Sequence, residues 1–313
     1  MKLPSSVTIV EVGPRDGLQS FPRPVDTSTK VQVIDRLSTA GLPVIEVTCF
    51  AHSRAIPNLA DADKVFELIQ RRPGIIYRGL VPNAYGAHRA VKARVDEMVG
   101  LTIMSPTYLR KNQNCTLDEA AEEAIKAFEI AQQASIRFVM ALGGSFWCPY
   151  EGLIDRRMVL DMLARLHAEG IRRFYLAGSV GMEDPKHVYE LFSSAFDRFP
   201  GIELGFHVHN LSGMATANVL AALQAGVSWI ETSICGLGGG IAMPGDVGAV
   251  GNFPTEDLAM MLELLGIQTG VKAAEIAAAS SEIAKILDIE PRSHVGRGLV
   301  RDLIQARPEV VQA

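Results

Sequence analysis

Two histidines separated by one residue, His207 and His209, give the strongest chemical signal in the sequence. Side chains alternate faces along a strand, so a strand through Phe206-His207-Val208-His209-Asn210 turns both imidazoles the same way. Near the N-terminus, Gly13-Pro14-Arg15-Asp16-Gly17 sets a guanidinium beside a carboxylate in a turn-like stretch. Two imidazoles and one inward carboxylate are a standard ligand set for a divalent cation. With oxygen donors added, the set suits Mg²⁺ or Mn²⁺. The same residues also admit a plainer reading, in which the histidines only hydrogen-bond at a strand end and Asp16 only shapes a turn. The planar fork of Arg15 suits a carboxylate or a polarised carbonyl, and a surface ion pair is its ordinary alternative.

Other polar residues sit where apolar runs end. Glu46 lies within one such run, which closes on Cys49-Phe50-Ala51-His52. Another leads into Ser105-Pro106-Thr107 and then Arg110-Lys111-Asn112-Gln113-Asn114. Lys111 and Asn112 could meet the phosphates of a long substrate or form a solvated loop. The glycine run Gly236-Leu237-Gly238-Gly239-Gly240, followed by Gly251-Asn252, lacks the Lys-Ser/Thr of a P-loop. It reads as a mobile active-site loop or as an ordinary surface loop.

These positions need a scaffold, and the hydropathy pattern supplies one. Short runs rich in Val, Ile and Phe fall at 7–12, 44–50, 75–81, 97–104, 136–142, 173–178, 203–209 and 228–235. Their near-continuous hydrophobicity predicts strands covered on both faces, as in a parallel sheet. Amphipathic stretches separate them, among them 29–39, 117–134 and 157–168. Eight strand–helix units over about 265 residues match a (β/α)8 barrel, and no Gly-x-Gly-x-x-Gly follows the first strand. In such a barrel the active site lies at the C-terminal strand ends, where the polar residues above collect. The segments 271–288 and 298–306 read as added C-terminal helices. One domain is expected over 1–313, with the barrel at about 7–267 and the helical extension at about 268–313.

Composition excludes several classes. The 313 residues are 48% hydrophobic and 21% charged, enough for a large core and unlike a disordered chain. A formal charge of -5 argues against a nucleic-acid partner. No run approaches the roughly 20 apolar residues of a membrane span, and Met1-Lys2-Leu3-Pro4-Ser5 carries no secretory apolar stretch. Cys49, Cys115, Cys148 and Cys235 lie far apart, which predicts reduced thiols in a cytoplasm.

Together the motifs resemble the 3-hydroxy-3-methylglutaryl-CoA lyase family of metal-dependent barrel lyases. The resemblance runs from about residue 7 to 262. It rests on Val12-Gly13-Pro14-Arg15-Asp16-Gly17-Leu18-Gln19, Glu46-Val47-Thr48, Lys111-Asn112-Gln113-Asn114-Cys115, Cys148-Pro149-Tyr150-Glu151-Gly152, His207-Val208-His209 and Gly251-Asn252-Phe253-Pro254-Thr255-Glu256-Asp257. It implies retro-Claisen or retro-aldol cleavage at a divalent metal held by Asp16, His207, His209 and Asn252. Arg15 would stabilise the enolate oxyanion, and Glu46 would orient groups or relay a proton. Gln19, Lys111 and Asn112 would face the substrate, a small molecule such as an acyl-CoA, and a homodimer is the family expectation. The sequence also departs from the family pattern. Gly240 stands where the loop carries a cysteine, Gly178 where Leu-Gly-Asp-Thr carries its aspartate, Ser20-Phe21-Pro22 where Asn-Glu-Lys follows the first motif, and Asn210-Leu211 where Asp-Thr follows the histidines. Cys235 is five residues too early to replace the loop thiol. An altered substrate is therefore expected, with Glu46, His52 or a water supplying the missing proton. The alternatives are a class II aldolase acting on a free hydroxy-keto acid, a condensing enzyme like isopropylmalate synthase, and a non-catalytic metal-binding paralogue.

Overall fold

The computed structural model describes residues 2–245, 247 and 251–298. Eight parallel strands close into a barrel in chain order: β1 (Thr8–Glu11), β2 (Val44–Cys49), β3 (Ile76–Val81), β4 (Glu97–Ile103), β5 (Arg137–Gly143), β8 (Arg173–Gly178), β9 (Glu203–Val208) and β10 (Trp229–Thr232). The remaining two, β6 (Trp147–Cys148) and β7 (Gly152–Leu153), form a small antiparallel ribbon after β5 that the hydropathy pattern did not signal. Nearly every barrel residue is buried, as strands packed on both faces require.

Helices wrap the outside. They are α1 (Thr27–Thr39), α2 (Ala62–Leu68), α3 (Ala84–Lys92), α4 (Pro106–Gln113), α5 (Leu117–Gln133), α6 (Arg156–Ala168), α7 (Pro185–Arg198), α8 (Ala215–Ala225), α9 (Thr255–Leu264) and α10 (Ala273–Leu287). Their starts follow from local chemistry. Asp26 accepts from Thr29 N at 2.8 Å, so α1 begins two residues before the expected 29. Thr116 and Glu119 form a reciprocal capping box at α5. Asp184 caps α7, with Pro185 at its first position. The expected helix 271–288 is α10, which packs on α1 and α9. The expected helix 298–306 lies outside the described residues apart from Gly298.

Two strand expectations need correction. The run 203–209 ends as a strand at Val208, because His209 leaves the ladder to make an isolated bridge with Asn252. The run 228–235 ends at Thr232, and Ile234–Gly236 becomes a 3₁₀ turn in which Cys235 takes φ 59°. Both departures occur at the barrel mouth, where hydrophobicity persists while the backbone turns to build the site.

The barrel interior is not wholly apolar. Arg78, 1% exposed, lies 2.7 Å from Glu46 and 2.6 Å from Glu231, with Glu97 at 3.8 Å. A buried guanidinium needs such partners, since stripping one from a buried ion pair costs about 3–5 kcal/mol.

Candidate metal centre and active site

Beyond β1 the backbone coils into a single π-helical turn, Gly13–Gly17. Val12 O accepts from Asp16 N at 2.7 Å and from Arg15 N at 3.0 Å. Such turns recur at functional sites because they re-aim successive side chains. Glu11 anchors the turn by accepting from Gly13 N at 2.7 Å, Ile234 N at 2.9 Å and Thr255 Oγ1 at 2.6 Å. A Cβ on Gly13 would lie 2.6 Å from that carboxylate, so only glycine permits the approach. Arg15 and Asp16 are thereby presented, buried, at the mouth.

His207 is the penultimate residue of β9, on its inward phase, and His209, just past the strand end, follows on the same side. Phe253 N donates to Val208 O at 2.8 Å and Asn210 N to Gly251 O at 3.1 Å, laying Asn252 against the two histidines. Ligand atoms of Asp16, His207 and His209 all lie within 4.8 Å of one another. The two Nε2 atoms are 3.1 Å apart, and Asp16 Oδ2 is 3.4 Å from His209 Nε2 and 4.0 Å from His207 Nε2. Neighbouring ligands of an octahedral ion bound at about 2.1 Å stand about 3 Å apart, close to the histidine spacing. Asn252 Nδ2 donates to Asp16 Oδ2 at 2.7 Å and to Leu237 O at 2.9 Å, while its buried Oδ1 has no hydrogen-bond partner. One carboxylate oxygen, two imidazole nitrogens and one unsatisfied amide oxygen fit a divalent cation.

The charges around this cluster are arranged for it. Burial pushes the Asp16 carboxyl up, but the Arg15 guanidinium and both histidines outweigh it and hold it well below the usual carboxylate range. Behind His207, Glu231 Oε2 lies 3.3 Å from Nδ1. A carboxylate there fixes the proton on Nδ1 and leaves the Nε2 lone pair facing the cluster. Glu231 is itself bound by Arg78 at 2.6 Å and Trp229 Nε1 at 3.0 Å. Burial raises its pKa, and the charges of Arg78 and His207 reverse that and hold it below its ordinary value.

A cavity of about 370 Å³ opens above the cluster, with Arg15, Asp16, Gln19, Tyr175, His207 and His209 in its wall. Glu46 does not line it. It lies beneath Arg15, accepting from Arg15 Nε and pairing with Arg78, so it orients the guanidinium from below. Gln19 donates to Asp16 Oδ1 at 2.8 Å and to Gly239 O at 3.1 Å, tying the first motif to the glycine loop. Asn112 lines the cavity and donates to Ile241 O at 3.1 Å, joined there by Tyr108 Oη at 2.9 Å. Lys111 is exposed outside the cavity, its Nζ 5.2 Å from the centre of the Tyr150 ring. Cys235 is no substitute for the loop thiol: it is buried against Ser280, and burial with the nearby Glu256 charge pushes it up to about 12. At Gly240 the missing side chain's space is taken by Met243, whose Cε lies 2.7 Å from where a Cβ would be.

Sequence reasoning missed Tyr175, Glu231 and Arg78. Tyr175 stacks on His207 with ring centres 5.8 Å apart. The available signal was a charged or polar residue inside an otherwise apolar strand, at the same inward phase as His207.

The HMGL-like family model matches residues 6–283. The chain belongs to the HMGL-like family. It is 38% identical over 295 residues to the mitochondrial hydroxymethylglutaryl-CoA lyase of Mus musculus, covering 94% of this chain and 90% of that one. A cytoplasmic 3-hydroxy-3-methylglutaryl-CoA lyase from Danio rerio is also 38% identical, covering 95% of this chain and 88% of that one. Among solved structures, an HMG-CoA lyase from Acinetobacter baumannii, in complex with coenzyme A and 3-methylmalate, superposes with a TM-score of 0.89 at 34% identity over 95% of this chain and 96% of that chain. The chain is therefore a carbon–carbon lyase of this family's type, built on the closed barrel that its sequence predicts.

Proposed function

We propose that this enzyme cleaves a 3-hydroxyacyl-CoA, or a related hydroxy acid, by retro-Claisen or retro-aldol chemistry with Mg²⁺ or Mn²⁺ held by Asp16, His207, His209 and Asn252. The observation that carries the reading is the convergence of three buried ligand atoms within 4.8 Å, beside an amide oxygen left without a partner. A divalent cation there supplies Lewis acidity, which makes a substrate hydroxyl easier to deprotonate.

The chain's own residues supply the rest. The substrate hydroxyl passes its proton to water in the cavity, its oxygen becomes a carbonyl, and the adjacent carbon–carbon bond breaks with its electron pair passing to an enolate. Arg15, held by Glu46 from below and by Asp16 at 2.6 Å, presents a fixed positive charge to that developing oxyanion. Protonation at the enolate carbon releases the second product. Of the side chains considered for this step, Glu46 is walled off behind Arg15, while His52 is in the cavity wall. His52→Gln then lowers turnover by about 10²-fold or more, as loss of a proton-transfer group does. The free thiols of Cys49, Cys115, Cys148 and Cys235 fit a cytoplasmic setting.

The substrate is altered relative to that of the family's cysteine-bearing members, because a thioether fills the position of their loop thiol. The position of Lys111 outside the cavity favours a second reading, an aldolase acting on a free hydroxy-keto acid. Purified protein with Mn²⁺ or Mg²⁺, assayed on a panel of hydroxy acids and their CoA thioesters, separates the two. Acetyl-CoA with a keto acid from the thioesters supports the main reading. Turnover of free acids alone favours the aldolase, and a tightly bound metal without turnover indicates a non-catalytic paralogue.

A further inference from the structure

We propose that Tyr175 is a further catalytic residue: its hydroxyl donates a hydrogen bond to the substrate oxygen that gains charge as the carbon–carbon bond breaks. Tyr175 lies on the inward phase of β8, where it pairs with Gly205 while Ala177 pairs with His207. It is therefore rooted one layer below the first histidine. Two residues along a strand span about 6.6 Å, comparable to the reach of a phenol side chain. The ring rises through that layer, stacks on His207 with centres 5.8 Å and planes 29° apart, and enters the cavity wall.

Neighbours fix the ring, and none satisfies its hydroxyl. Arg78 Cζ lies 5.7 Å from the ring centre, so a cation and an imidazole both hold the phenol in place. Tyr175 is 3% exposed, yet its hydroxyl makes no hydrogen bond among the described residues. Its strand neighbours Ala141 and Gly205 carry no side-chain acceptor. The phenols of Tyr108 and Tyr150 are by contrast committed to the glycine loop, at Ile241 O and Ala242 O. A hydroxyl withdrawn from water without a partner costs about 1–3 kcal/mol, and phenylalanine would fill the same ring volume without it.

The acceptor follows from what the other groups already hold. In the lyase reading above, on which this inference rests, the cation takes the substrate hydroxyl. Arg15 commits Nε to Glu46 and Nη1 to Asp16, so only part of its fork is left for the enolate oxygen. Tyr175 stands in the same wall as Arg15 and offers a donor that no protein group has claimed. A phenol ordinarily keeps its proton up to about pH 10, and burial raises that further. It therefore donates without giving up the proton, and the hydrogen bond strengthens as negative charge builds on the acceptor.

Tyr175→Phe removes the hydroxyl alone, and it is assayed with Mn²⁺ on the hydroxy acid or thioester of the panel that wild type turns over fastest. Its kcat should fall about 10²-fold with KM within about twofold of wild type, as loss of a donor acting in the transition state requires. Mn²⁺ affinity by calorimetry and the melting temperature should both hold. Wild-type kcat in Tyr175→Phe overturns the inference. So does a Mn²⁺ affinity that falls as far as kcat, which would make the ring only a support for His207. Both results leave the lyase reading standing. A wild-type protein that turns over no member of the panel overturns that reading, and this inference with it.

Discussion

The chemistry of the site depends on residues that never touch the cavity. Glu231 holds the proton on Nδ1 of His207 and so turns Nε2 toward the cluster, and Glu231 is itself kept ionised by Arg78 and His207 against the effect of burial. Glu231→Gln can donate to Nδ1 as well as accept from it, which loosens the tautomer and removes a charge. We expect metal affinity or turnover to fall about 10- to 100-fold, read by Mn²⁺ titration and steady-state kinetics. Wild-type affinity and turnover in Glu231→Gln would show that this carboxylate does not tune the ligand. The pairing of His207 and His209 is legible from residue type and spacing, whereas Asp16 on its own reads equally as a turn residue and joins them through the family resemblance. Their supports are not legible, because a Glu or Arg within a strand has no spacing signature: Arg78, Glu97 and Glu231 acquire meaning only when closure of the barrel brings distant strands face to face.

Among the elements, the glycine loop is tied down by side chains from three other segments of the chain. Tyr108 and Asn112 bind Ile241 O, Tyr150 Oη binds Ala242 O at 2.6 Å, and Gln19 binds Gly239 O, so the loop is latched over the cavity from several sides. Asn112 thus serves as a latch in this state, a role invisible in a charged loop read as a string. Met243 fills the volume of the missing thiol. Gly240→Cys alone should therefore leave activity on 3-hydroxy-3-methylglutaryl-CoA unchanged. Gly240→Cys with Met243→Ala, which clears the space, should raise it by about 10²-fold if the thiol donates the closing proton. A large gain from the single variant would show that Met243 does not block the position. The expected strands overshoot these ends, by one residue at Val208 and three at Thr232, for a related reason: apolar composition continues through Ile234 and Cys235 while the backbone is already turning under the hydrogen bonds of Glu11 and Phe253.

At the scale of the whole molecule, the barrel was the most legible feature, since eight apolar runs alternating with amphipathic segments admit few other architectures. Its buried charges give it a characteristic pH dependence. Burial pushes Glu11 up to about 8 despite its hydrogen bonds to Thr255, Ile234 and Gly13. The folded chain therefore keeps a proton that the unfolded chain has released, and the associated stability is complete below the ordinary carboxylate range and is lost as pH rises through about 8. The melting temperature of metal-free protein should fall between pH 7 and pH 9, and Glu11→Gln should flatten that slope. A melting temperature that rises over the same interval would refute this account of Glu11. The central claim is that strands from opposite ends of the chain converge on one divalent cation. Anomalous diffraction from crystals soaked in Mn²⁺ tests it most directly. The expected result is a single strong peak at about 2.0–2.4 Å from an Asp16 carboxylate oxygen, the Nε2 atoms of His207 and His209, and Asn252 Oδ1. A peak elsewhere, or none at this mouth, would contradict the account.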